Sequence, residues 1–140
     1  MGEIISSKQY LGQEQYRYLK PIIYCNASVE LEEVAVSLNL LLAEKISKIK
    51  PSMRTMYLEQ CVKQVISTLP DNVVIKDFDV LFHLDYQVDV LKILIAVCKR
   101  KPFQIIWPGT YKDEKLYYAE EGYSDYKAYS IQEYDMTCVI

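Results

Sequence analysis

A chain of 140 residues with 16 Lys and Arg against 19 Asp and Glu carries a formal charge of −3, which excludes the strongly basic footprint of a nucleic-acid-binding domain. At 51% apolar and 25% charged residues it is too apolar for a disordered chain, and its size fits one domain spanning 1–140. Four Gly against thirteen Tyr exclude abundant glycine-rich loops and leave much amphipathic aromatic surface.

Met1 to Lys20 is a polar N-terminal segment with Tyr10, Tyr16 and Tyr18, and reads as a short helix packed through its rings. Met1 to Tyr10 lacks the basic start and apolar core of a secretory signal, and no stretch reaches the roughly 18 apolar residues of a membrane span. The expectation is a cytoplasmic protein, away from membranes, with reduced thiols. Cys25, Cys61, Cys98 and Cys138 lie far apart and His83 is the single histidine, so no CxxC or Cys/His cluster marks a metal site, and no cofactor is expected. His83 has no neighbouring nucleophile motif and reads as a surface or half-buried side chain.

Ile22-Ile23-Tyr24-Cys25, after Pro21, suits a buried strand. Asn26 and Ser28 offer N-cap oxygens, and Glu30, Glu32 and Glu33 sit where negative charge meets the positive end of a helix. Leu31, Val34, Leu38, Leu42 and Ile46 recur at steps of three and four, so one helix is expected to run to Lys50, ahead of Pro51. A second helix is signalled from Ser52, with Met53, Tyr57, Cys61 and Val65 on one stripe broadened by Ile66 and Leu69, closed by the turn Pro70-Asp71-Asn72. Val73-Val74-Ile75 and the stretch to Phe82 read as a buried strand ending in carboxylates. Asp85 to Cys98 reads as a third helix, with Val88, Leu91, Ile95 and Cys98 on one face and Lys99-Arg100-Lys101 at its end. Phe103 to Trp107 supplies a strand stopped by Pro108-Gly109.

Residues 111–135 hold seven of the thirteen Tyr, seven acids and three bases. Leu116-Tyr117-Tyr118 reads there as a short strand and Glu121-Gly122 as a turn. Thr137 to Ile140 is expected as an edge strand, so 111–140 forms a Tyr-rich C-terminal β extension. Strands alternating with helices predict an α/β fold: a three-layer, mostly parallel sheet flanked by helices. Loops leaving the carboxyl ends of its strands would gather Asn26, Asp77, Asp79 and Trp107-Pro108-Gly109 on one rim, provided that strands 22–25, 73–77 and 103–107 lie side by side.

Val73 to Asp79 has the outline of a Walker B element, in which a strand fixes a carboxylate beside a nucleotide's Mg²⁺. Asp77 and Asp79 are then the metal candidates, although any buried strand leaving the core through polar residues looks the same. The matching phosphate loop needs G-x-x-x-x-G-K-[S/T], and none of Gly2, Gly12, Gly109 and Gly122 is followed by Lys and Ser or Thr. Where it should sit the chain has Asn26-Ala27-Ser28-Val29-Glu30, with Glu32 and Glu33 beyond. Those carboxylates oppose a triphosphate more than a helix dipole worth about 0.3–1 kcal/mol attracts it. No catalytic residue is assigned.

From Val73 to Tyr129, the pieces Val74–Phe82, Gln87–Leu94, Lys99-Arg100-Lys101, Ile105-Ile106-Trp107-Pro108-Gly109 and Leu116–Tyr126 resemble, in order, the C-terminal half of the small P-loop-containing component BrxF of type 3 bacteriophage-exclusion (BREX) systems. Trp107-Pro108-Gly109 and Tyr118-Ala119-Glu120-Glu121-Gly122-Tyr123-Ser124-Asp125-Tyr126 carry most of the likeness, and Ser37-Leu38-Asn39-Leu40 extends it. The family's glycine-rich loop has no counterpart here, its Walker B aspartate falls on Lys76, and its Arg at positions 99 and 101 is Lys, which keeps charge but loses bidentate geometry. The resemblance implies a degenerate P-loop-like member without a working nucleotide site.

Three functions are in play. The first is a non-catalytic subunit of an anti-phage assembly, binding other defence proteins or itself through Trp107, Tyr118, Tyr123, Tyr126 and Tyr129; the alternative is that those rings cover the sheet. The second is an NTPase completed by a partner, with Asp77 and Asp79 on Mg²⁺ and Lys99 or Arg100 as a finger. The third is a nucleic-acid-associated factor using Lys99, Arg100 and Lys101; the net charge makes any such contact indirect.

Overall fold

The computed structural model describes residues 2–6 and 21–140. Its strands are β1 (Glu3–Ile5), β2 (Ile22–Tyr24), β3 (Val36–Ser37), β4 (Val74–Lys76), β5 (Gln104–Ile106), β6 (Thr110–Lys112), β7 (Lys115–Tyr118), β8 (Lys127–Ser130) and β9 (Thr137–Val139). Its helices are α1 (Val29–Val34), α2 (Asn39–Ser47), α3 (Arg54–Ser67) and α4 (Val90–Cys98), with 3₁₀ turns at Pro51–Met53, Asp79–Phe82 and Ile131–Glu133. Six strands form one sheet in the order β1-β9-β2-β5-β4-β3, every pairing parallel. The fold is α/β, with a parallel sheet flanked by helices.

The register explains the core. Ile4, Cys138, Ile23, Ile105, Ile75 and Val36 lie side by side across all six strands, and this row joins Leu42, Leu58, Val62 and Leu94 of the helices in one cluster. Each fully buried side chain of this kind contributes about 1.5–3 kcal/mol, so a shift of one residue in any strand would turn its part of the row away from the helices. β2, β5 and β4 are consecutive neighbours, as the gathering of their carboxyl ends requires.

Several local expectations change. Residues 3–5 are a strand, not part of a helix, while Tyr10, Tyr16 and Tyr18 lie outside the described residues. The helix expected from Ser28 to Lys50 starts as foreseen, with Ser28 Oγ accepting from Leu31 N–H at 3.2 Å, but is broken at Ala35, whose ψ is 146°. Val36-Ser37 pairs with β4 instead, and Leu38 N–H donates to Lys76 O at 3.0 Å. Pairing of a β-branched residue in the sheet outweighs helical periodicity, and Val34 is left 69% exposed. On α3 the buried stripe is Leu58, Cys61, Val62, Val65 and Ile66, rotated away from Met53 and Tyr57, because α3 is held between α2 and α4. α4 begins only at Val90, where Asp89 Oδ1 accepts from Lys92 N–H at 3.1 Å. β9 is interior rather than at an edge, since β1 pairs along its far side.

A second, antiparallel sheet, β6-β7-β8, occupies Thr110–Ser130. Asp113 and Glu114 close the β6–β7 hairpin with φ of 51° and 64°, the two left-handed residues that a type I′ turn requires.

Candidate functional site

The carboxyl ends of β2, β5, β4 and β3 form a rim on which Tyr24, Trp107, Lys76 and Ser37 are followed by the loops that carry polar side chains. β2 is the switch point: its outgoing connection runs to β3 at the far edge, whereas the chain leaving β5 crosses to β9 on the other side, the position where open α/β sheets hold ligands. Asn26 is exposed there, and Asp77 ends β4, exposed and at φ 50°.

Asp79 is engaged from two sides. Asn39 Nδ2 donates to its Oδ2 at 3.2 Å, and the Tyr118 hydroxyl donates to its Oδ1 at 3.0 Å. Asn39 Oδ1 in turn accepts from Val80 N–H at 3.0 Å, so the first residue of α2 fixes the 3₁₀ turn that follows β4. Lys76, the last residue of β4, points back to α1: its Nζ donates to Glu32 O at 3.0 Å and lies 3.5 Å from Glu32 Oε2. Asp77 and Asp79 therefore share the rim but not a role. Asp79 is the hub of a hydrogen-bond network, and Asp77 faces solvent.

The aromatic residues place the antiparallel meander β6-β7-β8 on this hub. The Tyr118 ring stacks on Phe82 at 3.8 Å and 4°, Phe82 and Tyr129 meet Trp107 edge-on at 5.9 Å and 5.8 Å, and Trp107 Nε1 donates to Tyr117 O at 2.9 Å. Gly109 is required here, because a Cβ on it would stand 1.8 Å from Tyr117 O. Tyr134 OH donates to Asp89 Oδ2 at 2.6 Å, tying the segment between β8 and β9 to the start of α4.

These contacts correct the expected partner surface. Trp107 and Tyr129 are buried, and Tyr118 is half-buried and bonded. Tyr126 stacks on Tyr117 at 6.0 Å, and Tyr123 is the exposed member, at 65%. Rings with an apolar body and one polar tip serve a sheet-to-sheet junction as well as a partner interface, and sequence does not separate the two uses.

Burial, with Asp79 next in weight, pushes the Tyr118 phenol well above its usual range. Tyr134 rises for the same reason, with Asp89 as its acceptor, and Tyr129 rises through burial and the charge of Asp89. Each phenol stays protonated as a donor or core group. A cleft of about 320 Å³ opens beside the hub, lined by Asp79, Phe82, His83, Leu84, Tyr118 and Asp125. His83 is exposed, its Nδ1 accepting from Asp85 N–H at 3.2 Å. Among the described residues no cluster of three His, Cys, Asp or Glu side chains is placed to hold a metal, and no helix is long and apolar enough to cross a membrane.

Lys99, Arg100 and Lys101 lie at the opposite end of the sheet, ahead of β5. Lys101 Nζ donates to Leu69 O and, at 3.4 Å, to Ser67 O at the end of α3, with Asp71 Oδ1 at 3.9 Å. Lys101 thus caps the end of α3, and Lys99 and Arg100, the residues expected as a finger, stand exposed at this end of the sheet, away from the rim that carries Asp77 and Asp79. Sequence reading singled out Glu32, Lys76 and Asn39 for other reasons, and what it missed is their pairing: Lys76 with Glu32, and Asn39 with Asp79 and Val80.

None of the protein-family models, curated proteins or solved structures compared with the chain matches it.

Proposed function

We propose that the protein is a non-catalytic interaction subunit of a bacterial anti-phage assembly of the BREX kind, on a P-loop-like frame whose nucleotide site has become structural. One observation carries this reading: on the rim where phosphate and metal would be held, Asp77 faces solvent while Lys76 and Asp79 are engaged within the chain. Lys76 is bound to Glu32, and Asp79 to Asn39 and Tyr118. The strand–loop–helix position between β2 and α1 is Cys25-Asn26-Ala27-Ser28, with neither the glycines that let backbone N–H groups wrap an anion nor the lysine that follows them. Releasing Asp79 for a cation would strand the Asn39 amide and the Tyr118 hydroxyl.

Two measurements test the proposal. Calorimetric titration with Mg²⁺ and millimolar ATP or GTP is expected to give no binding heat; saturable binding, alone or with a partner, would replace it with the nucleotide-binding reading. The genes beside it are expected to encode a methyltransferase, a helicase and an alkaline-phosphatase-like protein, and co-expression with these proteins is expected to yield a complex. Tyr123→Ala should weaken that complex with the thermal midpoint unchanged, and a complex that forms equally well without Tyr123 removes this residue from the interface.

A further inference from the structure

We propose that the cleft between the end of α2 and the first half of α3 binds a small organic anion, an alkyl or aryl carboxylate or phosphate whose apolar body lies against the helices and whose charge meets Lys45. The cleft holds about 320 Å³, at the lower end of the usual range for small-molecule sites. Ile49, Tyr57 and Cys61 supply apolar walls, Gln60 and Gln64 add side-chain amides, and the cations Lys45 and Lys48 line it with no carboxylate among them. Helical spacing accounts for the grouping. Tyr57, Gln60, Cys61 and Gln64 recur at steps of three and four along α3, and Lys45, Lys48 and Ile49 do the same where α2 ends. Tyr57, expected on the apolar stripe of its helix, stands 36% exposed at this edge instead.

Lys45 is the residue that selects an anion. It is half-buried, and among the described residues its ammonium has neither an ion pair nor a hydrogen bond, whereas Lys48, Lys76 and Lys101 each face an acid. The end of α2 offers it only partial charge. Its own charge reaches the Cys61 thiol, but burial outweighs that attraction and raises the thiol above its ordinary range, so no thiolate forms to neutralise Lys45. A half-buried charge without a counter-charge costs free energy. An anion in the cleft removes that cost while its body covers Ile49 and Tyr57. Arg54 Nε donates to Ile49 O at 2.9 Å and fixes the turn out of α2, so this wall stands before a ligand arrives. An uncharged ligand gains nothing from Lys45, and a bare phosphate gains nothing from the walls. The cleft lies at the opposite end of α2 from Asn39 and the rim, so this inference does not rest on the proposed function.

The test follows the backbone amides of the isotope-labelled whole chain by NMR during titration with octanoate and with phenyl phosphate, against octanol and inorganic phosphate as controls. Saturable shifts are expected at Ile49, Gln60, Cys61 and Gln64 with at least one of the two organic anions, and the tighter of them identifies the head group. Octanol and inorganic phosphate should bind about tenfold more weakly or worse, the loss of a charged partner or of the apolar body. Lys45→Gln should weaken binding by about tenfold or more, Lys45→Arg should restore it, and Lys48→Gln, which removes an exposed cation already shared with Glu44, should cost no more than about threefold. Absence of saturable shifts with both anions, octanol binding as tightly as octanoate, or a folded Lys45→Gln chain that binds as well as the unchanged one overturns the proposal. The comparison of octanoate with octanol on the unchanged chain decides the matter without any variant.

Discussion

Tyr118 performs two separable tasks, stacking on Phe82 and donating to Asp79. Tyr118→Phe keeps the ring and removes the donor. It is expected to cost about 1–2 kcal/mol in urea denaturation, the loss of one hydrogen bond to a carboxylate that is partly solvated. Tyr118→Ala should cost clearly more, because the stacked contact goes as well. The raised phenols make a pH prediction. Tyr118, Tyr129 and Tyr134 each hold their proton more tightly when folded than when unfolded, so the folded state binds more protons once the unfolded phenols begin to ionise near pH 10. Their contribution is complete below that pH and is lost as pH rises toward the folded values. Urea midpoints should therefore fall from about pH 10 upward, and Tyr134→Phe should flatten the fall; an unchanged slope would show that Tyr134 does not take part. At this level the sequence marked Asp79 as a polar exit from a strand, but the partners Tyr118 and Asn39 lie 39 and 40 positions away in the chain. No local pattern connects residues so far apart.

Caps and turns govern the elements, and each is a small number of atoms. Asp89 caps α4 through Oδ1 and accepts Tyr134 OH on Oδ2, so Asp89→Ala removes a cap worth about 0.5–2 kcal/mol and leaves a half-buried phenol without its acceptor. A thermal midpoint no lower than that of the unchanged chain would contradict this dual role. Gly109→Ala drives a methyl group into the Tyr117 carbonyl. Because that same carbonyl accepts the Trp107 indole N–H, the expected loss is about 1–3 kcal/mol, of the overpacking kind, with a change in Trp fluorescence. The Ser28 cap was legible from a hydroxyl before an acidic turn, and the type I′ hairpin at Asp113-Glu114 was not, since Glu114 stands where Gly usually follows Asp in the signal for that turn. The break at Ala35 was hidden too, because Leu31, Val34 and Leu38 keep helical spacing across a strand that exists only through β4.

Across the molecule, an aromatic seam of Phe78, Phe82, Trp107, Tyr118, Tyr129 and Tyr134 joins the meander to the parallel sheet. Tyr129→Ala should cost about 3–5 kcal/mol as a large buried ring is lost, while Tyr123→Ala should stay within about 0.5 kcal/mol. Equal effects on denaturation would contradict this division of the tyrosines into seam and surface. The α/β class, the central strands and the absence of a glycine-rich phosphate loop were determined by the sequence alone, because each depends on residues close together in the chain: β-branched runs, helical spacing, a missing motif. Strand order, the interior place of β9, the inward use of Trp107 and Tyr129, and the separation of Lys99 and Arg100 from Asp79 were decided by the tertiary structure. They depend on which distant segments bury one another's apolar faces and satisfy one another's donors, a choice that is settled only when the whole sheet closes.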